Sequence, residues 1–93
     1  MKVYQIDYDL RKQKNYEAIH ERIRSYKTYC NPLKSSWLIA TNQTAIQVRD
    51  YLRAVMDSDD GLLVTRLQRE AAWLGVDDKT SSWLKTQIEG CTA

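Results

Sequence analysis

Two aspartates and three cations crowd the start of the chain: Asp7, Asp9, Arg11, Lys12 and Lys14. Carboxylates at i and i+2 of a strand point to the same face, with their backbones about 6.5–7 Å apart. Their oxygens can converge on one hard cation, and magnesium or manganese needs only one or two protein carboxylates plus a substrate phosphate. Such an ion polarises a phosphoryl oxygen or supplies a bound water for phosphodiester cleavage. Arg11, Lys12 and Lys14 would then hold a phosphate backbone without reading its sequence. The competing reading is a turn, in which aspartates at a strand end bond the next backbone amides and the cations are solvated. Residue types leave both readings open.

Other chemistry is sparse. His20 is the only histidine, so no nucleophilic triad can be assembled, and it reads as a surface or boundary residue of a helix. Glycines at 61, 75 and 90 are too scattered for a phosphate-binding loop. Trp37, Trp73 and Trp83 could stack nucleobases. Trp37 alternates with Leu38 in an apolar run and reads as core, while Trp73 and Trp83 read as cover for a sheet face or a dimer seam.

The elements that must position these residues follow from periodicity. Lys2–Tyr8 alternates Tyr4, Ile6 and Tyr8 against Val3, Gln5 and Asp7, the period of a strand with one face on a core, and Asp9 falls on the side of Asp7. Asn15 is the expected N-cap of a helix whose stripe is Tyr16, Ile19, Ile23 and Tyr26. Tyr29–Lys34 and Ser36–Thr41 read as strands joined by a tight turn at Lys34-Ser35, with Pro32 marking an edge. Thr44-Ala45-Ile46-Gln47 has the form of a capping box and opens a helix to about Met56, with stripe Ala45, Val48, Leu52, Val55 and Met56. Asp57-Ser58-Asp59-Asp60-Gly61 is a turn, and Leu62–Leu67 the fourth strand. A short terminal helix begins at Ser81 or Ser82 and carries Trp83, Leu84 and Ile88.

The order β-α-β-β-α-β predicts an α+β ferredoxin-like plait with an antiparallel sheet, both helices on one face and the other face bare. Val3, Gln5 and Asp7 are expected to look out from that bare face, and a homodimer is the expected way to cover it. One domain spans 1–93, with a core over 1–68 and a C-terminal extension over 69–93.

Bulk properties narrow the classes. No run of eighteen apolar residues exists, so no membrane span is expected. The N-terminus MKVYQIDYD lacks an apolar signal core, and Cys30 and Cys91 match no disulfide framework, so a cytoplasmic protein with reduced cysteines is expected. Net charge is +2, but residues 1–35 carry eight Lys/Arg against four Asp/Glu, whereas 36–93 carry six against eight. That asymmetry suits a basic surface near the first helix.

The strand ending in Tyr8-Asp9, the helix after it, the run Pro32-Leu33-Lys34-Ser35-Ser36-Trp37-Leu38-Ile39 before a capped second helix, and Asp60-Gly61-Leu62-Leu63-Val64-Thr65-Arg66-Leu67 together resemble the small CRISPR-associated "Cas-two" proteins, whose wider relatives include VapD-type toxin ribonucleases. The resemblance covers roughly residues 1–68. It implies a ferredoxin-like homodimer that binds duplex DNA or RNA. It also implies either metal-dependent endonuclease activity or a non-catalytic adaptor role beside a partner such as a CRISPR integrase; a toxin ribonuclease paired with an antitoxin is the third possibility. The family's metal-binding, catalytic aspartate carries over to Asp9, facing its symmetry mate across the dimer, with magnesium or manganese as the ion. The family's small polar residue at the second-to-third strand junction carries over to Ser36, with Ser35 one register away. Asp7 has no counterpart there and rests on strand geometry alone. The family's chain ends in a fifth strand that pairs with the partner subunit, whereas residues 69–93 read here as helix.

Overall fold

The computed structural model describes residues 1–11 and 16–92. Among them the chain forms β1 (Lys2–Asp9), α1 (Glu17–Arg24), β2 (Tyr29–Leu33), β3 (Ser36–Thr41), α2 (Ala45–Arg53), β4 (Gly61–Arg66) and α3 (Asp78–Glu89). The strands pair antiparallel in the order β2-β3-β1-β4. This is an α+β domain compatible with the ferredoxin-like plait expected from the element order.

The period-two pattern of β1 sends Tyr4 and Ile6 into a buried cluster with Ile19 and Ile23 of α1, Trp37 and Ile39 of β3, and Val48 and Leu52 of α2. Helix spacing of four brings each of those helical pairs onto one side. The capping box of α2 forms in full: the Gln47 amide N–H donates to the Thr44 hydroxyl at 3.2 Å, and the Thr44 amide N–H donates to Gln47 Oε1 at 2.8 Å. The helix stops at Arg53, short of Met56, yet Met56 still packs on the core. Asn15, the expected cap of α1, lies outside the described residues. Trp37 is core as expected, and His20 sits half-buried at its boundary.

The second face of the sheet departs from expectation. It is not bare: Val3 is 1% exposed, packed with Ala40 and Cys91, and beside them Cys30 and Leu38 pack on Leu84 and Ile88 of α3. Trp83 and Leu67 border both groups. The physical reason is apolar area. Val3, Leu38 and Ala40 form a strip whose burial is worth about 25 cal/mol per Å², and Leu84 and Ile88, one helical turn apart, supply a matching stripe within the same chain. Of the three residues expected to look outward, Gln5 and Asp7 are only half-buried and Val3 is closed off. The 69–93 stretch therefore supplies the second core layer.

The start of α3 also differs. Its N-cap is Asp77, whose carboxylate accepts from the Thr80 amide at 2.7 Å, rather than Ser81 or Ser82. Ser81 has another task, accepting the Trp73 indole N–H at 2.9 Å. Gly75, at φ 78°, turns the chain into this cap through a left-handed conformation that side chains disfavour. After α3 the Thr92 amide donates to the Met1 carbonyl at 3.0 Å, which ties the two ends together. No described helix is long and apolar enough to cross a membrane.

Candidate nucleic-acid interface

The two expected metal ligands lie where β1 runs out. β1 outruns β3 there: Ile6 pairs with Trp37, but Asp7, Tyr8 and Asp9 pair only with Leu63, Leu62 and Gly61 of β4. Asp9 therefore projects at an open end of the sheet, beside the turn that leads into β4.

Asp9 meets a cation, though it is one of the chain's own. Arg11 Nε lies 3.5 Å from the Asp9 carboxylate, with the two side chains 60% and 73% exposed. The Arg11 amide donates to Asp60 at 3.3 Å and its guanidinium to the Asp59 carbonyl at 3.4 Å, so Arg11 bridges the strand end and the acidic turn. Gly61 makes room for it, since a Cβ there would stand 2.7 Å from the guanidinium. Asp7 accepts from the Gln5 side-chain amide at 3.4 Å. Ser36 opens β3 next to Trp37, the partner of Ile6, and so belongs to the same sheet end; its carbonyl accepts from Asn31 at 2.6 Å. Lys12 and Lys14 lie outside the described residues.

The cation beside the Asp9 carboxylate is thus Arg11, in an exposed pair that is weak enough to be displaced. On that face α3 and Cys91 cover Val3, Cys30, Leu38 and Ala40, and Asp9 stays exposed outside the covered part. The described carboxylates that do cluster are Asp57, Asp59 and Asp60, with one oxygen of each within 4.8 Å of the others. Their sequence reads as a plain turn. Only the β1–β4 register, which sets Asp9 opposite Gly61, shows that this turn adjoins the candidate site.

On the helix side of the same sheet end lies an aromatic group that sequence reasoning did not assemble. Tyr8 is 5.8 Å from Tyr16 and 5.9 Å from His20, ring to ring, and His20 is 5.1 Å from Trp37, which in turn is 6.2 Å from Tyr29. The Tyr8 hydroxyl is hydrogen-bonded to His20 Nε2. Burial raises the Tyr8 phenol above its ordinary value, with the Trp37 indole working against the rise and Tyr16 adding to it. Trp37 Nε1 is close enough to act on Tyr8 but out of hydrogen-bond geometry. Tyr16 and Tyr29 expose 45% and 37% of their surface at the rim of this group. The signal was present as a period: Tyr8 shares a strand face with Ile6, and Tyr16 and His20 lie four residues apart.

The cations of the two helices are largely engaged. Arg24 pairs with Glu17 at 3.0 Å, Arg49 and Arg53 share Asp50, and Arg22 lies 3.7 Å over the Tyr51 ring. Of the cations expected to form a basic surface near α1, Arg22 and Arg24 are thus engaged, while Lys12 and Lys14 lie outside the described residues. No protein-family model and no solved structure matches the chain.

Proposed function

We propose that this protein binds nucleic acid at the open end of its sheet and acts as a non-catalytic adaptor. One observation carries the reading: Arg11 and Tyr16 are both exposed, and in the sequence they bracket Lys12 and Lys14. Phosphates would exchange onto Arg11, Lys12 and Lys14, and an unpaired base would stack on Tyr16, the combination that single-stranded nucleic acid uses. The Arg11–Asp9 pair is no obstacle. Exposed ion pairs contribute about 0–1 kcal/mol, so a phosphate can replace the Asp9 carboxylate at small cost. The resemblance to Cas-two proteins points to nucleic acid as well, though to a duplex.

A second reading, metal-dependent cleavage, has one observation in its favour, the Asp57, Asp59 and Asp60 cluster beside Asp9. A single substitution separates the two. Under the adaptor reading, Asp9→Asn removes a carboxylate that competes with phosphate, and binding measured by fluorescence anisotropy tightens. Under the cleavage reading, the wild type degrades DNA or RNA when magnesium or manganese is added, and Asp9→Asn abolishes this. Arg11→Ala with Lys12→Ala is expected to weaken binding evenly across sequences and to reduce the salt slope by about 1 for each phosphate no longer held. An unchanged slope removes the loop from the interface, and metal-dependent cleavage by the wild type overturns the adaptor reading.

A further inference from the structure

Residues 67–76 leave the end of β4 and arch over the second sheet face before α3 begins. The arch is pinned at two points. Arg69 Nε donates to the Cys91 carbonyl at 2.7 Å, and the Trp73 indole N–H donates to the Ser81 hydroxyl at 2.9 Å. Beneath it, between the β2–β3 hairpin and α3, lies a cavity of about 390 Å³. Its apolar walls include Pro32, Leu33, Leu38, Trp73, Val76 and Leu84. Ala71 and Ala72 also line it, and their side chains are too short to fill it. Four polar residues complete the lining: Gln5, Ser36, Gln68 and Glu70. Gln5 reaches only Asp7, at 3.4 Å. Among the described residues, nothing bonds the Ser36 hydroxyl, the Gln68 side-chain amide or the Glu70 carboxylate.

We propose that this cavity binds a small organic amine, a protonated nitrogen carried on an aromatic body. Apolar walls with a few unpaired polar groups are the composition of a small-molecule site, and the volume lies at the lower end of the range that such sites occupy. Charge complementarity sets the sign of the ligand. Glu70 is the one charged residue among the described residues that line the cavity, so no cation of the chain neutralises it there. An ammonium supplies that charge, and the oxygens of Ser36 and Gln68 can accept its remaining N–H donors. Trp73 gives the ring a face to pack on. A peptide strand is a poorer occupant. β2, the edge beside the cavity, contains Pro32 and a register irregularity between Cys30 and Leu33, both of which blunt an edge against an added strand. The two pins hold the walls in place before the ligand arrives, which lowers the ordering cost of binding. The cavity shares no lining residue with the surface around Asp9 and Arg11, so its ligand does not depend on the nucleic-acid reading.

Tryptamine, tryptophol and indoleacetate test the site, because they share one ring system and differ in charge. Titrated at neutral pH into the full chain and followed by amide NMR, tryptamine is expected to give saturable shifts at residues 67–76 and at the Trp73 indole N–H. Exposed ion pairs are weak, so tryptamine should bind only about fivefold more tightly than tryptophol, with indoleacetate the weakest of the three. Glu70→Gln should erase the margin between tryptamine and tryptophol while leaving the affinity for tryptophol unchanged. Ala72→Trp should fill the cavity and abolish binding of all three with an unchanged circular dichroism spectrum. The proposal is overturned by an absence of saturable shifts up to millimolar tryptamine, or by shifts that fall away from the cavity. Equal affinities for tryptamine and tryptophol, or a margin that survives Glu70→Gln, also overturn it. Tighter binding of a capped Leu-Lys-Leu peptide than of tryptamine does the same, by assigning the cavity to a protein partner.

Discussion

Arg11 illustrates how much of a site is decided by one side chain. Its guanidinium reaches Asp9 and the Asp59 carbonyl because the neighbouring strand begins with a residue that has no Cβ. Gly61→Ala should displace it, loosening the link between β1 and the acidic turn; weaker binding that leaves the melting temperature unchanged is the expected outcome. Cys30 makes the opposite case. Burial alone pushes its thiol up to about 12, so the reactive thiolate is scarce at neutral pH. We expect no labelling of Cys30 by iodoacetamide in the native protein and rapid labelling once the fold is opened by urea; fast native labelling would refute this. At this scale the sequence was informative about position and silent about partners. Asp9 at a strand end was legible from alternation, but its engagement by Arg11 depends on a turn some fifty positions away.

Elements were legible in proportion to their periodicity. α1 and α2 each carry two buried aliphatics four residues apart, and α2 begins with a capping box that forms as its spacing requires. Thr44→Ala should cost about 1 kcal/mol in urea denaturation. α3 was harder to place because its cap is one of two adjacent aspartates that read as ordinary surface charge, and its apolar stripe is short. Leu84→Ala leaves a cavity between α3 and β3 and should cost about 2–5 kcal/mol. The Asp77 carboxyl is held below its ordinary 3.8 chiefly by the Thr80 backbone hydrogen bond, with the Thr80 side chain helping. A depressed folded value means that its stabilisation is complete above the unfolded value and is lost as pH falls through the folded one. Acid titration followed by tryptophan fluorescence should therefore show α3 loosening only below about pH 4, and Asp77→Asn should remove part of that acid dependence.

For the whole molecule, the α+β class and the antiparallel sheet followed from the sequence of elements, whereas the fate of the second sheet face did not. Alternation shows that Val3 and Gln5 share a side; it cannot show that Leu84 and Ile88, eighty positions later, return to cover it. Removing residues 77–93 should expose Val3, Leu38 and Ala40 together, and the truncated chain is expected to bind a hydrophobic dye and to aggregate. The hydrogen bond between Thr92 and Met1 has a further implication. With Thr92 held against Met1, a chain of residues 1–93 can be closed into a ring by a short linker and reopened at the Lys34-Ser35 turn, so that the strands become consecutive in a new order while the packing is kept. Such a circular permutant should fold to the same structure, because connectivity along the chain is the one thing this architecture does not need.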